Sequence, residues 1–351
     1  MKYHLVSGAC GFVGRNTIKQ LLKRTTDCVI MVDDLSVGTH PLTWLQDKTT
    51  KKIKDIEIFG KDERLFYWKM DFRKFLNNLL EDPKWLEREY GLRIDRFGDA
   101  FHFAAIVGGR AKIEGDPMAV ALDLSIDAEF FNWIAKAKPE RVMYPSSSAA
   151  YPINMQTESD AVALKEADIN IDGFVLGMPD LTYGWTKMTG EFLAKIAARN
   201  YGISIVCIRP FSGYGEDQDL TYPVPAIAAR AAKKENPFVV WGTGQQGRDF
   251  VHIDDVMDCM FIAMDRIHDG TAINIGSGKL TTFIDLIKVF SKFADYNPTI
   301  KPLVDKPIGV HSRYCDMSFV KEKLGWEPRI FLEEGMKRVY DVAVRNVRGE
   351  K

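Results

Sequence analysis

The chain has 351 residues, 46% hydrophobic and 27% charged, which suits about two globular domains and excludes disordered, collagen-like and coiled-coil chains. Forty-seven basic against 48 acidic residues leave a net charge of −1, so no global field draws the chain to nucleic acid or to a membrane surface. Cys10, Cys28, Cys207, Cys259 and Cys315 are too few and too scattered for a disulfide framework. They form no C-x-x-C pair, and the six histidines form no H-E-x-x-H motif, so no metal site is expected. No apolar run approaches the ~18 residues of a membrane span. Met1–Ser7 runs directly into a glycine motif, so no cleavable leader is expected and the expected location is the reduced cytoplasm.

Short β-branched runs alternate with helical patterns through the first two hundred residues. The expected strands are Tyr3–Ser7, Val29–Asp33, Leu65–Met70, Ala100–Phe103, Arg141–Tyr144 and Ile203–Ile208. Most are near-continuous apolar runs, as in parallel strands buried on both faces. Helices are expected at Gly11–Arg24, Pro117–Ala137 and Tyr183–Asn200. This alternation predicts an α/β fold with a Rossmann-type, doubly wound parallel sheet. The Lys-rich Thr43–Glu63 and the Trp-containing Asn77–Gly98 are expected as insertions at the sheet's periphery, and Ile153–Pro179 as a loop near the site. After Pro210 the elements shorten. Residues 1–209 are therefore expected to bind a dinucleotide and 210–351 to form a smaller α/β lobe, with some interleaving of segments.

Gly8, Gly11 and Gly14 follow the first strand and open the first helix. Glycines let the backbone approach a pyrophosphate, and the helix N-terminus supplies N–H donors. A glycine triplet alone is equally a structural turn. Asp33, 19 residues after Gly14 at the end of the second strand, stands where an acid accepts the adenosine ribose hydroxyls and repels a 2′-phosphate. No Arg follows it closely, so NAD is expected rather than NADP.

Tyr183 and Lys187 lie one turn apart on one helix face. Alone, the pair reads equally as a surface aromatic beside a solvated lysine, and Ser146–Ser148 as a flexible turn. Their order gives them meaning: glycine loop, acid, serine-rich strand end, then Tyr and Lys. A phenol ordinarily titrates near 10. A neighbouring ammonium and a cationic nicotinamide favour its phenolate and make Tyr183 usable as an acid/base.

These motifs, with Asp33-Asp34-Leu35, Met70-Asp71-Phe72, His102-Phe103-Ala104-Ala105, Ser146–Tyr151, Arg209-Pro210-Phe211, Gly213-Tyr214-Gly215, Gly244–His252, Asn274–Gly278, Arg313 and Lys323–Trp326, resemble the extended short-chain dehydrogenase/reductase family, in its nucleotide-sugar branch. The resemblance spans nearly the whole chain. It implies NAD held by Gly8, Gly11, Phe12, Val13, Gly14, Asp33, Asp34, Leu35, Asp71, Phe72, Ala104, Ala105, Ile106, Ser125, Tyr183, Lys187, Pro210 and Phe211. It implies Ser147, four residues before Tyr151, as the catalytic serine beside Tyr183 and Lys187. A nucleoside-diphosphate sugar would meet Gly108, Ser147, Ser148, Ser212, Tyr222, Val224, Gln246, Arg248 and Arg313, the two arginines matching a diphosphate clamp whose planar forks suit phosphate oxygens.

Ala104–Gly109 and Tyr151-Pro152 resemble GDP-mannose 3,5-epimerases and GDP-fucose synthases, whose segments favour GDP; UDP-galactose 4-epimerases belong to the same branch. Those first two groups carry an acid/base Cys where this chain has Ala149, and a His or Lys near Tyr222-Pro223. The Asp-Glu pair of 4,6-dehydratases is absent from Ser148-Ala149, and Ser212 replaces a common Asn. A methyl group moves no proton, so the implied chemistry is redox at one carbinol: 4-epimerisation through a transient 4-keto sugar. The alternatives are net 4-oxidation or 4-keto reduction, and more remotely a dinucleotide sensor, which would have lost Tyr183, Lys187 or Ser147. Trp185, Met188, Phe192 and Ile196, with Val120, Leu124, Phe131 and Ile134, recur at helical spacing. They read as core or, by the resemblance, as the interface of a homodimer.

Overall fold

The computed structural model describes residues 1–106, 110–159 and 161–349. Strand β1 (Tyr3–Ser7), helix α1 (Phe12–Arg24) and β2 (Cys28–Asp33) form the first unit. β3 (Thr50–Ile53), β4 (Ile56–Phe59), β5 (Leu65–Lys69), α2 (Phe72–Glu81), α3 (Trp85–Tyr90) and β6 (Asp99–His102) follow. Helices α4 (Arg110–Gly115), α5 (Pro117–Ala121) and α6 (Asp123–Ala137) lead to β7 (Arg141–Pro145), and α7 (Leu181–Tyr201) leads to β8 (Ile205–Pro210). The chain continues through β9 (Ser212–Tyr214), α8 (Pro223–Ala232), β10 (Phe238–Trp241), β11 (Gly247–Arg248), β12 (Phe250–His252), α9 (Ile253–Arg266) and β13 (Asp269–Ile275). It ends with β14 (Thr281–Thr282), α10 (Phe283–Phe293), β15 (Ile300–Leu303), β16 (Ser312–Arg313), α11 (Ser318–Leu324) and α12 (Leu332–Arg348).

Among the described residues, nine strands form one sheet in the order β13-β8-β7-β6-β1-β2-β5-β4-β3. The strands from β13 to β5 pair in parallel, while β4 and β3 join antiparallel at one edge. Side chains of successive strand residues face opposite ways. Val6, Met31, Tyr67, Phe101, Met143 and Val206 therefore pack on one side with α1 and α9. Leu5, Ile30, Trp68, Ala100, Val142 and Cys207 pack on the other with α2, α6 and α7. Covering both faces explains the unbroken apolar runs. The strand order reverses at β1, flanked by β2 and β6, and the loops after β1 and β6 open there into the crevice where such sheets bind ligands.

The structure corrects several expectations. Part of Thr43–Glu63 extends the sheet itself, and β3 carries exposed Lys51 and Lys52 along its outer edge, which discourages pairing with another chain. Asn77–Gly98 is not peripheral: Trp85, Leu86 and Phe97 are buried, and Trp85 packs edge-on against Phe75 at 5.4 Å. Its charged residues disguised that apolar face. The helix expected over Pro117–Ala137 breaks at Leu122, whose carbonyl accepts from the Ser125 hydroxyl at 2.7 Å, a local competitor for helical bonding. Segment 153–179 holds two 3₁₀ turns and buries Leu164 and Ile169. Residues after 209 do not all leave the first domain, because α9 and β13 return to the large sheet. The smaller lobe packs α8, α10 and α12 around Tyr214, Phe238, Leu286, Phe290 and Met336. Among the described residues no helix is long and apolar enough to cross a membrane.

Candidate active site

The glycine loop is built by close backbone contact. Gly8 has φ +59°, and a Cβ there would stand 2.6 Å from the Phe103 carbonyl; one on Gly14 would stand 2.2 Å from the Gly8 oxygen. No side chain caps α1 at Gly11, so its N-terminal N–H groups face the crevice. Asp33 is buried, and its two carboxylate oxygens accept from the Cys10 and Leu35 N–H groups, each at 2.8 Å. A carboxylate has about four acceptor positions, so lone pairs remain for ribose hydroxyls. Burial pushes its carboxyl above the usual range. Leu35 holds φ +62°, a left-handed conformation kept by that bond. Exposed Asp34 accepts from the Ser36 N–H.

Asp71 caps α2 and pairs with Arg73, which also donates to the Ser125 hydroxyl at 3.1 Å. Phe72 packs inward against His102 and Phe130, so its ring belongs to the core. Ala104, Ala105 and Ile106 follow β6; the Ala104 N–H donates to Ser7 Oγ, and the Ile106 N–H to Asp123 Oδ1. Gly108 lies outside the described residues. Phe12 and Val13 sit half-buried in the first turn of α1, and Pro210 and Phe211 close β8. The loop, the helix end and Asp33 thus fit a dinucleotide with an unphosphorylated adenosine ribose.

Ser147 ends the turn after β7, and its Oγ accepts from the Ala149 N–H at 3.1 Å. Helix α7 begins against this turn. The Asp180 N–H donates to the Ala149 carbonyl, and a Cβ on Gly184 would stand 2.3 Å from that oxygen. This close approach sets the start of α7, which carries half-buried Tyr183, against Ala149. Lys187 is 3% exposed, with its ammonium 5.7 Å from the Tyr183 ring centre and 5.4 Å from that of Tyr144. Burial opposes its charge, but Asp127, Tyr183 and Asp123 outweigh that and hold it above the usual lysine value. Asp127 accepts from Tyr144 at 2.6 Å and bonds His102 Nε2 at 2.9 Å, while His102 Nδ1 meets Ser7 Oγ at 3.0 Å. Burial opposes the Asp127 charge too, yet His102 and Lys187 keep its carboxyl low.

Asp123, Asp127 and Tyr144 were not singled out from the sequence, and His102 stood there only within the motif His102–Ala105, without a role of its own. Their signal was two acids one turn apart, Asp123 and Asp127, on the helix face that also carries apolar core residues. Ser146 instead donates to Glu191, which receives a two-pronged bond from Arg209 at 2.7 Å to each oxygen.

The smaller lobe supplies the other wall. Tyr222 precedes α8, and burial, with the nearby Tyr183 and Asp219, pushes its phenol up to about 12. Val224 packs into the lobe's core, Ser148 is buried, and Ser212 donates its N–H to the Asp249 carbonyl. Arg248 and Arg313 lie directly opposite each other on β11 and β16. Arg248 donates to the Gly247 and Ile308 carbonyls and lies over Phe283. Arg313 pairs with Asp180 at 2.9 Å and donates to Gln156. Through Asp180, which stands at the N-terminal boundary of α7, Arg313 is coupled to the Tyr183 end of the site. Gln246 donates to the Trp241 carbonyl, and its Oε1 is buried without a partner.

Comparison with known proteins gives the same picture. Residues 4–276 match the NAD dependent epimerase/dehydratase family. The chain is 25% identical over 350 residues to a putative UDP-glucose 4-epimerase of Methanocaldococcus jannaschii, covering 98% of this chain and 99% of that one. It is 28% identical over 258 residues to the GDP-mannose 3,5-epimerase of Arabidopsis thaliana, covering 72% and 66%. Its structure resembles that of UDP-glucose 4-epimerase from Thermotoga maritima with UDP-glucose, at a TM-score of 0.76 and 25% identity over 98% of this chain and 99% of that one. A glycine cradle at the sheet's reversal point, a Tyr183–Lys187 pair and a family match over most of the length agree, and the chain belongs to the NAD-dependent epimerase/dehydratase family of enzymes.

Proposed function

We propose that this enzyme interconverts C4 epimers of a nucleoside-diphosphate sugar, with Tyr183 as the acid/base. The observation that carries the reading is the buried Lys187 ammonium beside the Tyr183 ring, next to a turn in which Ala149 supplies only a methyl group. Bound NAD supplies the hydride acceptor and donor. Tyr183 takes the C4 hydroxyl proton, and Ser147 orients that hydroxyl against the phenol. Lys187 holds the nicotinamide ribose, and its ammonium compensates the negative charge that the Tyr183 oxygen carries before it accepts the proton. Arg248 and Arg313 hold the diphosphate, so the sugar can turn about its phosphate bonds and present its other face before Tyr183 returns the proton. With Ala149 at this position, C3/C5 epimerisation has no acid/base there.

Purified protein with NAD and a panel of UDP-, GDP-, dTDP- and CDP-sugars tests this reading. The expected result is an isomerised sugar by NMR with no net NADH. NADH accumulating in proportion to one sugar would instead establish the net 4-dehydrogenase reading.

A homodimer is part of the same proposal. Val120, Phe131, Ile134 and Met188 are core residues, whereas Leu122, Leu124, Trp185 and Phe192 remain 42–51% exposed on α6, α7 and the turn before α6. An exposed set of large apolar residues suits a second copy of the chain. Light scattering is expected to give twice the chain mass, and Trp185→Glu with Phe192→Glu to give a monomer. A wild-type monomer would end this part of the proposal.

A further inference from the structure

We propose that Arg15 and Asp217 are positioning residues for the bound NAD: through them the β9–α8 loop of the smaller lobe latches onto the cofactor turn, and the dinucleotide leaves only when that latch opens. This holds whichever sugar the enzyme turns over. The loop leaves β9 at Tyr214 and reaches α8 at Pro223. Between those ends it lies against the first turns of α1.

Three contacts hold it there. Asp217 Oδ2 accepts from Lys19 Nζ at 2.7 Å, and Oδ1 accepts from Asn16 Nδ2 at 3.1 Å. Gly215 packs on Phe12, where a Cβ would stand 3.2 Å from the ring. The third contact is Arg15, which is 8% exposed. Its Nη2 donates to the Asp217 carbonyl and its Nη1 to the Cys10 carbonyl, each at 2.7 Å.

The Cys10 carbonyl belongs to the Gly8–Gly14 turn, and the Thr39 N–H donates to it as well, at 3.2 Å. The Cys10 N–H is held by Asp33 and the Gly11 N–H by the Gly8 carbonyl. The peptide that Arg15 grips therefore leads straight into Phe12 and Val13, at the uncapped start of α1. The free N–H groups of such a helix end are the donors a pyrophosphate meets. Asn16 Nδ2 adds a second bridge, since it also donates to the Phe12 carbonyl at 2.9 Å. A planar guanidinium can serve two carbonyls at once, one in the cofactor turn and one in the lobe. If the loop lifts, a buried charge loses one of its acceptors, which is costly. The closed loop and the shape of the cofactor turn thus favour each other, and by linkage so do the closed loop and bound NAD.

The test measures how fast NAD leaves. Protein loaded with NAD and desalted is mixed with excess alcohol dehydrogenase and ethanol, which reduce each released NAD and report it as NADH absorbance. Arg15→Lys keeps the charge but reaches only one carbonyl. Asp217→Ala removes the anchors on Lys19 and Asn16 and keeps the backbone carbonyl. Each is expected to release NAD about tenfold faster than wild type, the equivalent of one hydrogen bond. Because both open one latch, the double variant is also expected near about tenfold, not about a hundredfold. Asn16→Ala, which leaves Arg15 in place, is expected to speed release in the same direction and replaces Arg15→Lys if that variant fails to fold. Urea denaturation of the same variants separates the roles. Lower stability with NAD release at the wild-type rate would make the residues structural only and overturn the proposal. A double variant at the product of the single effects would overturn it too, as would a wild type that loses its NAD on desalting.

Discussion

A lysine ammonium that is 3% exposed persists only beside opposite charge, and Asp127 and Asp123 provide it here. They hold Lys187 as a fixed cation under Tyr183, rather than as a mobile surface lysine. Tyr183→Phe removes the atom that carries the proton and leaves the packing intact. Its turnover is expected to fall about 10²–10⁴-fold, with bound NAD retained by absorbance; unchanged turnover would assign the acid/base to another group. Tyr183, Lys187 and Ser147 were legible as motif residues because their spacing is local. Asp127 and Tyr144 were not, and His102 was legible only as a motif residue without a role, because the three meet only when α6, β6 and β7 are packed together.

Helix α7 carries the Tyr–Lys pair, and its position depends on two contacts at different heights. Near its start, Gly184 permits backbone contact with the Ala149 carbonyl. Further along, Glu191 receives both prongs of Arg209 from β8, and Arg209 also donates to the Tyr151 hydroxyl at 2.9 Å, which donates to Asn274 on β13. Breaking one partner of such a buried pair leaves the other charge uncompensated. Glu191→Gln is therefore expected to lower stability by about 3–5 kcal/mol in urea denaturation; a loss near zero would mean that the network rearranges freely. The individual elements were largely readable from periodicity, since apolar runs and helical stripes depend on neighbours in sequence. The buried face of Asn77–Gly98 was not, because it reflects partners brought from elsewhere, and the break at Leu122 escaped the periodic pattern although its cause, the Ser125 hydroxyl, is local.

At the scale of the whole molecule, the loop at Asp217 ties the smaller lobe to α1. Asp217 accepts from Lys19 at 2.7 Å and from Asn16 at 3.1 Å, while Arg15 donates to its backbone carbonyl. Burial opposes its charge, but Lys19, Asn16 and Arg15 outweigh that and keep its carboxyl below the usual value. A depressed carboxyl contributes stability above its unfolded pKa, near 3.9, and loses it as pH falls through the lower folded value. Asp217→Asn is thus expected to be about 1 kcal/mol less stable than wild type at pH 7. The gap should close below about pH 4, as read from denaturation midpoints across pH. A gap independent of pH would show that packing, not charge, holds the lobes there.

The amino-acid order alone determined the α/β class, the parallel sheet and the glycine-loop, acid, serine and Tyr–Lys succession, because each depends on periodicity or on short fixed spacings. It left open where the chain crosses back. Only the tertiary structure put β13 into the large sheet and α9 against it, made β3 and β4 its outer edge and set Arg248 opposite Arg313. Those placements join residues tens to hundreds of positions apart, and burial and strand register, which no local pattern encodes, select them.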